Sequence, residues 1–381
     1  MTRKVWYAPN GFEAYGEAEI KAVEQCLRDG WLAGFGAKSI EFESRVAEEF
    51  GKRHGVFVNS GSSACLLAIA ALDLPEGAEI VTPACTFSTT VAPMVQLGYK
   101  PVFCDVGLTS YVPTVQSVIE KITPKTKAIM LPNLIGNKPN WPALRDAIYQ
   151  MDREDIYLIE DSADTITLTR ESDVSTTSFY ASHLITAGGA GGMVMFNDQK
   201  HVDRALQYRD WGRVGNNSEE VHERFNHEVD GIPYDFKFLY GVLGYNFKCS
   251  EMNAAFGLVQ LDRFEEIADT RRENITRYLE NLASIPQVLL PDDDIKPNWL
   301  AIPLQTDRRL ELLTFLEENN IQTRVTFAGN ITRHPIYREY LQAFKNSDMI
   351  MRDGFLLGAH HGMDFSDVDY VCDKIKEFFE R

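Results

Sequence analysis

Strand-like and helix-like segments alternate along the first two-thirds of the chain, and this alternation constrains the fold more than any other feature. Short β-branched runs such as HGVFVNS, EIVTP, PVFCDV, TKAIMLP, DIYLIED and GGMVMF are separated by helical patterns such as SSACLLAIAAL, FSTTVAPMVQLG and WPALRDAIYQM. Strands that alternate with helices of this length are typical of right-handed crossovers between parallel strands. We therefore predict an α/β fold with a mostly parallel sheet covered by helices on both faces.

The pattern changes after residue 212. Residues 213–240 are polar and aromatic with weak periodicity, which predicts a long loop or lid. A long helical stretch follows, and then come the strand-like runs NWLAIPL and IQTRVTF and the helical runs RRLELLTFLEENN and FSDVDYVCDKIKEFFE. We predict a large domain over residues 1–250 and a smaller α+β domain over residues 251–381.

Charge and composition exclude several classes of protein. The chain carries 38 Lys and Arg against 55 Asp and Glu, and this net charge of −17 opposes binding to nucleic acid. No run reaches the roughly 18 apolar residues of a membrane span, and the N-terminal stretch lacks an apolar signal core, so we expect a cytoplasmic protein. A disulfide scaffold or metal site is not expected, because the six cysteines are scattered without a CxxC pair. They are Cys26, Cys65, Cys85, Cys104, Cys249 and Cys372.

Four short stretches fall where predicted strands end, which is the edge at which open α/β sheets bind ligands. In NSGSSA, residues 59–64, a strand runs directly into a helix, which suits a phosphate but also an ordinary helix N-cap. Glu160 and Asp161 end a buried strand, where a carboxylate either pairs with a cationic nitrogen or caps a helix. His183 precedes a glycine-rich run and is either an acid–base group or a structural histidine. Phe87 either covers a planar ring or packs in the core.

The order and spacing of these stretches resemble the DegT/DnrJ/EryC1/StrS aminotransferase family, the sugar-nucleotide branch of the fold-type-I pyridoxal-phosphate enzymes. The resemblance covers essentially the whole chain. Its motifs are NSGSSA, TPACTFSTT, the ED after a strand, SFYASH with its glycines, and GYNFKCSEMNAAFGLVQL. It implies a three-layer, mostly parallel seven-stranded sheet with a smaller C-terminal domain.

The resemblance also implies roles for individual residues. Asp161 would pair with the pyridinium nitrogen of the cofactor, Phe87 would lie against its ring, and Asn246 would reach the phosphate in a neighbouring subunit. The shared site implies a homodimer. The cofactor phosphate would be bound by Gly61, Ser62, Ser63 and Ser178.

His183 stands where ordinary family members carry the lysine that binds the cofactor covalently. An imidazole cannot make that stable bond, but it can act as a general base near neutral pH. One branch of the family makes this exchange: the 3-dehydratases of nucleotide-linked 4-keto-6-deoxyhexoses. Two further stretches, LIGNKP and EDSAD, resemble motifs of that branch. In EDSAD, Asp164 follows Asp161 by three positions, and the resemblance implies that it also contacts the cofactor. Lys200 and Lys248 lie in other motifs and are not expected to replace the lysine.

RDWGR, GIPYDFKFLY and FAGNITRHP resemble the CDP-sugar dehydratases most closely, but two features depart from them. The stretch RDWGRVGNNSEEVHERF contains no cysteine, so we expect no iron–sulfur cluster, since such clusters are held by thiolates. The GDP-sugar enzymes of the branch are the nearer precedent, with glutamate as the amino donor. The span from Asp161 to Ser178 is also short, so the substrate side of the site is expected to differ. Candidate contacts for substrate or glutamate are Arg324, Asn330, Arg333 and His334.

The expected activity is therefore a dehydratase that uses pyridoxamine or pyridoxal phosphate to remove the C3 hydroxyl of a nucleotide-linked 4-keto-6-deoxyhexose, with His183 as acid and base. Two alternatives remain open. One is a sugar-nucleotide aminotransferase that holds its cofactor without a covalent bond. The other is a catalytically silent member that binds a nucleotide or cofactor for regulation. Neither the nucleotide nor the sugar stereochemistry follows from the sequence.

Overall fold

A computed structural model describes residues 4–215, 220–292 and 298–381. Its centre is a seven-stranded sheet in the spatial order β1-β7-β6-β5-β4-β2-β3. Only β7 runs antiparallel to its neighbours, β1 and β6. The strands are β1 (His54–Val58), β2 (Glu79–Pro83), β3 (Lys100–Cys104), β4 (Thr126–Pro132), β5 (Tyr157–Ser162), β6 (Val174–Ser178) and β7 (Gly192–Phe196).

Helices cover this sheet on both faces. The strands β2, β5, β6 and β7 are buried along almost their whole length, as expected for a sheet between two helical layers. The α/β prediction is confirmed. The helices within residues 4–215 are α1 (Glu17–Asp29), α2 (Ala37–Glu49), α3 (Gly61–Ala70), α4 (Ser88–Gln96), α5 (Val115–Ile119), α6 (Trp141–Gln150) and α7 (Gln199–Arg209).

The segment predicted as a loop or lid, residues 213–240, contains short elements in its described part. They are helix α8 (Val221–Arg224) and a hairpin of β8 (Glu228–Val229) and β9 (Ile232–Pro233). Several large apolar side chains in this segment are exposed, among them Val221, Ile232 and Phe238. Residues 216–219 lie outside the described residues.

The C-terminal part forms a second, antiparallel sheet in the order β10-β12-β11. Its strands are β10 (Ala301–Gln305), β11 (Thr323–Val325) and β12 (Gly354–Gly358). The helices are α9 (Glu251–Asp262), α10 (Phe264–Leu282), α11 (Arg309–Glu318), α12 (Lys345–Asp353) and α13 (Phe365–Glu380). The sequence pattern predicts β10, β11, α11 and α13 but not α12 and β12.

Two contacts cross the predicted boundary between the two domains. Helix α9 packs against α1 and α2 of the N-terminal part, although it follows residue 250. Conversely, Val5 pairs with Ile321 and lies in the apolar core of the C-terminal sheet. The division into residues 1–250 and 251–381 stays a prediction, and each part contributes a segment to the packing of the other.

Within the described ranges, no helix combines the length and apolar character that crossing a bilayer requires. The six cysteines are free. Among the described residues, no group of three or more His, Cys, Asp or Glu side chains is placed to hold a metal ion.

Candidate active site

A cavity of about 300 Å³ opens at the carboxyl ends of β4, β5 and β6, beside the N-terminus of α3. This is the edge at which the sequence placed the candidate residues. None of the described residues that line it is a lysine. The lining consists of Ser60, Gly61, Ser62, Cys65, Phe87, Thr89, Thr90, Pro132, Leu134, Asp161, Ala163, Asp164, Ser178, Tyr180, His183 and Phe327.

The start of α3 is pressed against the end of β6. A Cβ atom on Gly61 would lie 2.6 Å from the Cβ of Ser178, so this close approach requires glycine. The first amides of a helix have no partner within the helix, and the helix dipole makes this end attractive to anions. The Ser62 hydroxyl lies at the same end and donates to Thr89 Oγ1 at 3.1 Å. The turn therefore offers amides and hydroxyls to a phosphate.

Ser63 does not line the cavity, unlike the other three predicted phosphate contacts. Its backbone N–H donates to the Ser60 hydroxyl oxygen, and its own hydroxyl donates to Asn59 Oδ1 at 2.7 Å. Ser63 is buried and is not among the residues that line the cavity. Its contribution in this structure is to donate its N–H to the N-cap residue Ser60, a bond that fixes the orientation of the turn.

Asp161 is a buried carboxylate whose hydrogen-bond partners are uncharged. Its Oδ2 accepts from the Thr90 hydroxyl at 2.7 Å, and its Oδ1 accepts from the backbone N–H of Ala163 at 3.3 Å. Burial raises the pKa of Asp161, although these hydrogen bonds oppose the rise. A cation placed in the cavity would favour the ionised form, so Asp161 is suited to a protonated ring nitrogen.

Asp164 lies on the same wall. Its Oδ2 accepts from the backbone N–H of Ile135 at 2.8 Å, and burial, with a smaller contribution from the nearby Asp161 charge, raises its pKa to about 7. The two carboxyl groups thus differ in role. Asp164 can stay protonated near neutral pH and donate a hydrogen bond, while Asp161 can ionise opposite a cation.

His183 lies in the turn that follows β6. Its Nδ1 is 3.3 Å from the carbonyl oxygen of Ser178. Because a carbonyl can only accept, Nδ1 carries the proton and the lone pair is on Nε2. Burial lowers the pKa of His183 to about 4, helped by the charge of Arg271, so the ring is neutral near pH 7. The Nε2 lone pair is therefore free near neutral pH, but the low pKa makes it a weak proton acceptor unless a nearby negative charge stabilises the imidazolium.

Phe87 is half exposed at the rim, and its ring meets that of Phe327 edge-on, with centroids 6.2 Å apart. Phe327, Thr90, Cys65, Leu134 and Tyr180 also line the cavity, and none of them is predicted as a site residue from the sequence. Thr90 lies within the quoted stretch TPACTFSTT, so its position beside a motif was an available signal. Phe327 comes from the C-terminal part, and no sequence pattern connects it with Phe87.

The other predicted residues do not line this cavity. Arg324 is exposed on β11, with its guanidinium over the ring of Tyr7. Asn246 is exposed and forms an isolated bridge with Asp210, so it does not reach the cavity of its own chain. Lys248 pairs with Asp210 at 3.4 Å, away from the cavity.

Asn330, Arg333 and His334 bond within their own part of the chain. The side chain of Asn330 donates to Gln342 O and Asp348 Oδ1, and its oxygen accepts from Thr332. Arg333 forms a two-pronged ion pair with Asp348, at 2.5 and 2.7 Å. His334 Nε2 lies 2.9 Å from the Ala328 carbonyl. The structure gives these three side chains partners other than a ligand.

A comparison with known proteins agrees with this geometry. The sequence profile of the DegT/DnrJ/EryC1/StrS aminotransferase family matches residues 13–376. The chain belongs to this family. It is 34% identical to the lipopolysaccharide biosynthesis protein RfbH of Salmonella typhimurium, over 97% of this chain and 91% of the relative. It is 35% identical to the dTDP-4-dehydro-2,6-dideoxy-D-glucose 3-dehydratase of Saccharopolyspora spinosa, over 97% and 86%.

Solved structures confirm the fold. Escherichia coli GDP-4-keto-6-deoxy-D-mannose-3-dehydratase with bound hydrated PLP superimposes with a TM-score of 0.85, at 24% identity, over 98% of this chain and all of the other. This likeness, together with the central sheet, identifies the fold of the PLP-dependent aminotransferases of fold type I. Family members are PLP-dependent enzymes of sugar nucleotides and include both dehydratases and aminotransferases.

The residues of the cavity fit this cofactor. Gly61 leaves room where any side chain would collide with Ser178, at the anion-binding end of α3. Asp161 supplies a buried carboxylate without a cationic partner among its hydrogen bonds, as a pyridinium nitrogen requires. Phosphate and ring nitrogen thus each have a complementary group in the lining of one cavity.

The low pKa of His183 can be tested directly. Its ordinary value is 6.5, so between pH 6.5 and 4 the unfolded chain binds this proton and the folded chain does not. This group therefore makes the fold more stable as the pH rises through that window. We expect NMR titration of the imidazole in cofactor-free protein, assigned by comparison with His183→Asn, to show a midpoint near pH 4. A midpoint near 6.5 would show an open, solvated ring.

Proposed function

We propose that this protein is a pyridoxamine-phosphate-dependent dehydratase that removes the C3 hydroxyl of a nucleotide-linked 4-keto-6-deoxyhexose. The observation that carries the proposal is His183, which lines the cavity with its Nε2 lone pair free, where ordinary members of the family carry lysine. Among the described residues that line the cavity there is no lysine to bind the cofactor covalently, but there is a neutral imidazole.

His183 would move the protons of the reaction. The cofactor, when bound, supplies an amine for the C4 carbonyl carbon and a ring that takes up electrons. Nε2 of His183 accepts one proton, and the same atom then protonates the departing C3 hydroxyl oxygen. Its neutral state near pH 7 leaves Nε2 free for the first transfer, and a nearby anionic phosphate would favour that transfer by stabilising the imidazolium. The imidazolium so formed would then be the acid for the second transfer.

Other residues would bind and orient the cofactor. The first turn of α3 at Gly61 and Ser62, with Ser178, would hold the phosphate, while Ser63 would fix that turn through its bond to the N-cap residue. Asp161 would hold the ring nitrogen in its protonated form, and Asp164 would donate a hydrogen bond to an oxygen on the ring. Phe87 would lie against one face of the ring.

We further propose that glutamate is the amino donor and that no iron–sulfur cluster takes part. The chain has no cysteine between Cys104 and Cys249, so the stretch after RDWGR offers no thiolate for such a cluster. Glutamate would regenerate the amine form of the cofactor by transamination, which needs no redox partner.

Product analysis tests the proposed reaction. Purified protein, pyridoxamine phosphate and glutamate are incubated with GDP-, CDP- and TDP-linked 4-keto-6-deoxyhexoses, and the products are analysed by mass spectrometry. We expect one nucleotide series to give a sugar with one oxygen fewer, accompanied by ammonia and 2-oxoglutarate. A product that keeps the C3 oxygen and gains nitrogen at C4 would identify an aminotransferase instead. No conversion, with no spectral sign of cofactor binding, would identify a silent member.

The variant His183→Asn separates binding from chemistry. Asparagine keeps polarity and approximate size but cannot act as a base, so cofactor binding is expected to persist while dehydration falls by about 10²–10⁴-fold. Binding is measured by cofactor absorbance after gel filtration, and turnover by the mass assay. Turnover close to that of the wild type would rule out His183 as the base.

We also propose that two chains form a homodimer with shared sites. Asn246 is exposed and lies outside the cavity of its own chain, which is consistent with a contact to the cofactor phosphate of a partner. A set of exposed apolar side chains near it is available to a subunit interface. They are Val221, Ile232, Tyr234, Phe238, Tyr240 and Leu243.

Mixing two inactive variants tests the shared site. Asn246→Asp places a negative charge where a phosphate is expected, and His183→Asn removes the base. In a mixed dimer one site has both defects and the other has neither. Random re-association is therefore expected to restore about a quarter of wild-type activity, because half of the dimers are mixed and each has one intact site. Mixtures that stay inactive would contradict a shared site, provided that size-exclusion chromatography shows exchange.

A further inference from the structure

The loop that follows β11 joins the C-terminal part to the rim of the cavity. Backbone N–H groups of this loop donate to the segment after β2: Ala328 to Thr86 O at 3.4 Å and Ile331 to Ala84 O at 2.9 Å. Cys85 and Asn330 also form an isolated β-bridge. The loop is therefore fixed to the large sheet on the side of the cavity where Phe87 lies, immediately before α4.

The polar side chains of this loop stabilise the loop itself. Asn330 is completely buried with its amide bonded at both ends, Arg333 is paired with Asp348, and His334 bonds to Ala328. The residue that the loop presents to the cavity is instead Phe327. The backbone hydrogen bonds between the loop and the segment after β2 therefore fix the position of Phe327 at the cavity.

Phe327 has a φ of +42°, in the left-handed region that favours glycine. A bulky side chain is uncommon there, and such a conformation persists only where the surrounding structure imposes it. The hydrogen bonds of the following residues to Thr86 and Ala84 supply that constraint. Residues held in such conformations cluster at active sites and ligand-binding sites.

The ring of Phe327 completes an apolar wall. It stands edge-on to Phe87, with the two ring planes at 85°, and it packs against the apolar cluster that includes Leu134. All three side chains line the cavity. None of these three side chains offers a hydrogen bond, so this wall contrasts with the hydroxyl, carboxyl and imidazole groups that also line the cavity.

We propose that Phe327 is a specificity-determining residue, held in a strained backbone conformation so that its ring favours the C6 methyl group of a 6-deoxyhexose over a hydroxymethyl group. This rests on the proposed function. The C6 methyl is the apolar substituent that distinguishes such a sugar from an ordinary hexose. An aromatic wall accepts a methyl group and leaves a hydroxyl without a partner.

A matched pair of variants tests the strain. Phe327→Ala and Phe327→Gly both remove the ring, but only glycine adopts a φ of +42° without cost. At an ordinary position the alanine variant would be the more stable. Here Phe327→Gly is expected to have the higher midpoint of thermal unfolding. A midpoint for Phe327→Ala equal to or above that of Phe327→Gly would show that the backbone is not strained.

Binding of inert sugars tests the specificity. Nucleotide-linked glucose and 6-deoxyglucose, without the 4-keto group, differ only at C6 and are titrated by calorimetry into PLP-loaded protein in GDP, CDP and TDP series. The wild type is expected to bind the 6-deoxy sugar about tenfold more tightly, a ratio typical of one group in an apolar contact. Phe327→Leu, which keeps apolar bulk, should preserve most of this ratio, and Phe327→Ala should abolish it.

Different results would contradict the role of Phe327 and the proposed function. If the wild type binds the sugars but Phe327→Ala keeps the same ratio between them, the assignment of Phe327 is wrong and the proposed function stands. If the wild type binds none of the nucleotide sugars, both are contradicted. Circular dichroism of each variant, compared with the wild type, shows whether the fold is retained.

Discussion

A buried carboxylate without a cation is costly, and Asp161 is in that position at the centre of this fold. It lies near the carboxyl end of β5, the central strand of the large sheet. Its carboxylate accepts hydrogen bonds from a hydroxyl of α4 and from a backbone amide. The surrounding strands and helices bring other groups to the same place: the anion-binding end of α3, the turn with His183, and Asp164. A ligand with a cationic ring nitrogen and a phosphate would satisfy Asp161 and α3 together, and the proposed cofactor carries both of these charges.

In the proposed function, histidine takes the place of the lysine that binds the cofactor, and this exchange would change what the rest of the site must do. A covalent bond would hold the cofactor in place whatever the strength of its other contacts. Without it, the close packing of Gly61 on Ser178 and the cap that Ser60 and Ser63 make must position the phosphate. The imidazole gains a different property. Its Nδ1 is engaged by the Ser178 carbonyl, so a single nitrogen faces the reaction, with its lone pair free.

The sequence allowed the large sheet to be predicted because parallel strands buried on both faces leave a strong, local signal. The same local signal predicts that residues at or just after the strand ends lie at the ligand-binding edge of the sheet. Asp161, Ser178 and Phe87 are such residues, and all three line the cavity. The exposed or polar residues of the C-terminal part were harder to interpret. Asn330 and Arg333 have the chemistry of ligand contacts, and only the folded loop shows that they bond to Asp348. The strand Gly354–Gly358 and the role of Phe327 depend on contacts between distant segments, which local patterns do not contain.

The central claim is that His183 stands beside a cofactor that no lysine of this chain binds covalently. Borohydride reduction after incubation with pyridoxal phosphate tests this claim, because it makes a cofactor–lysine bond permanent and visible as added mass in the intact protein. The account predicts no added mass for the wild type, and one cofactor per chain, mapped to residue 183, for His183→Lys. Stoichiometric labelling of a lysine in the wild-type protein, such as Lys248, would contradict it.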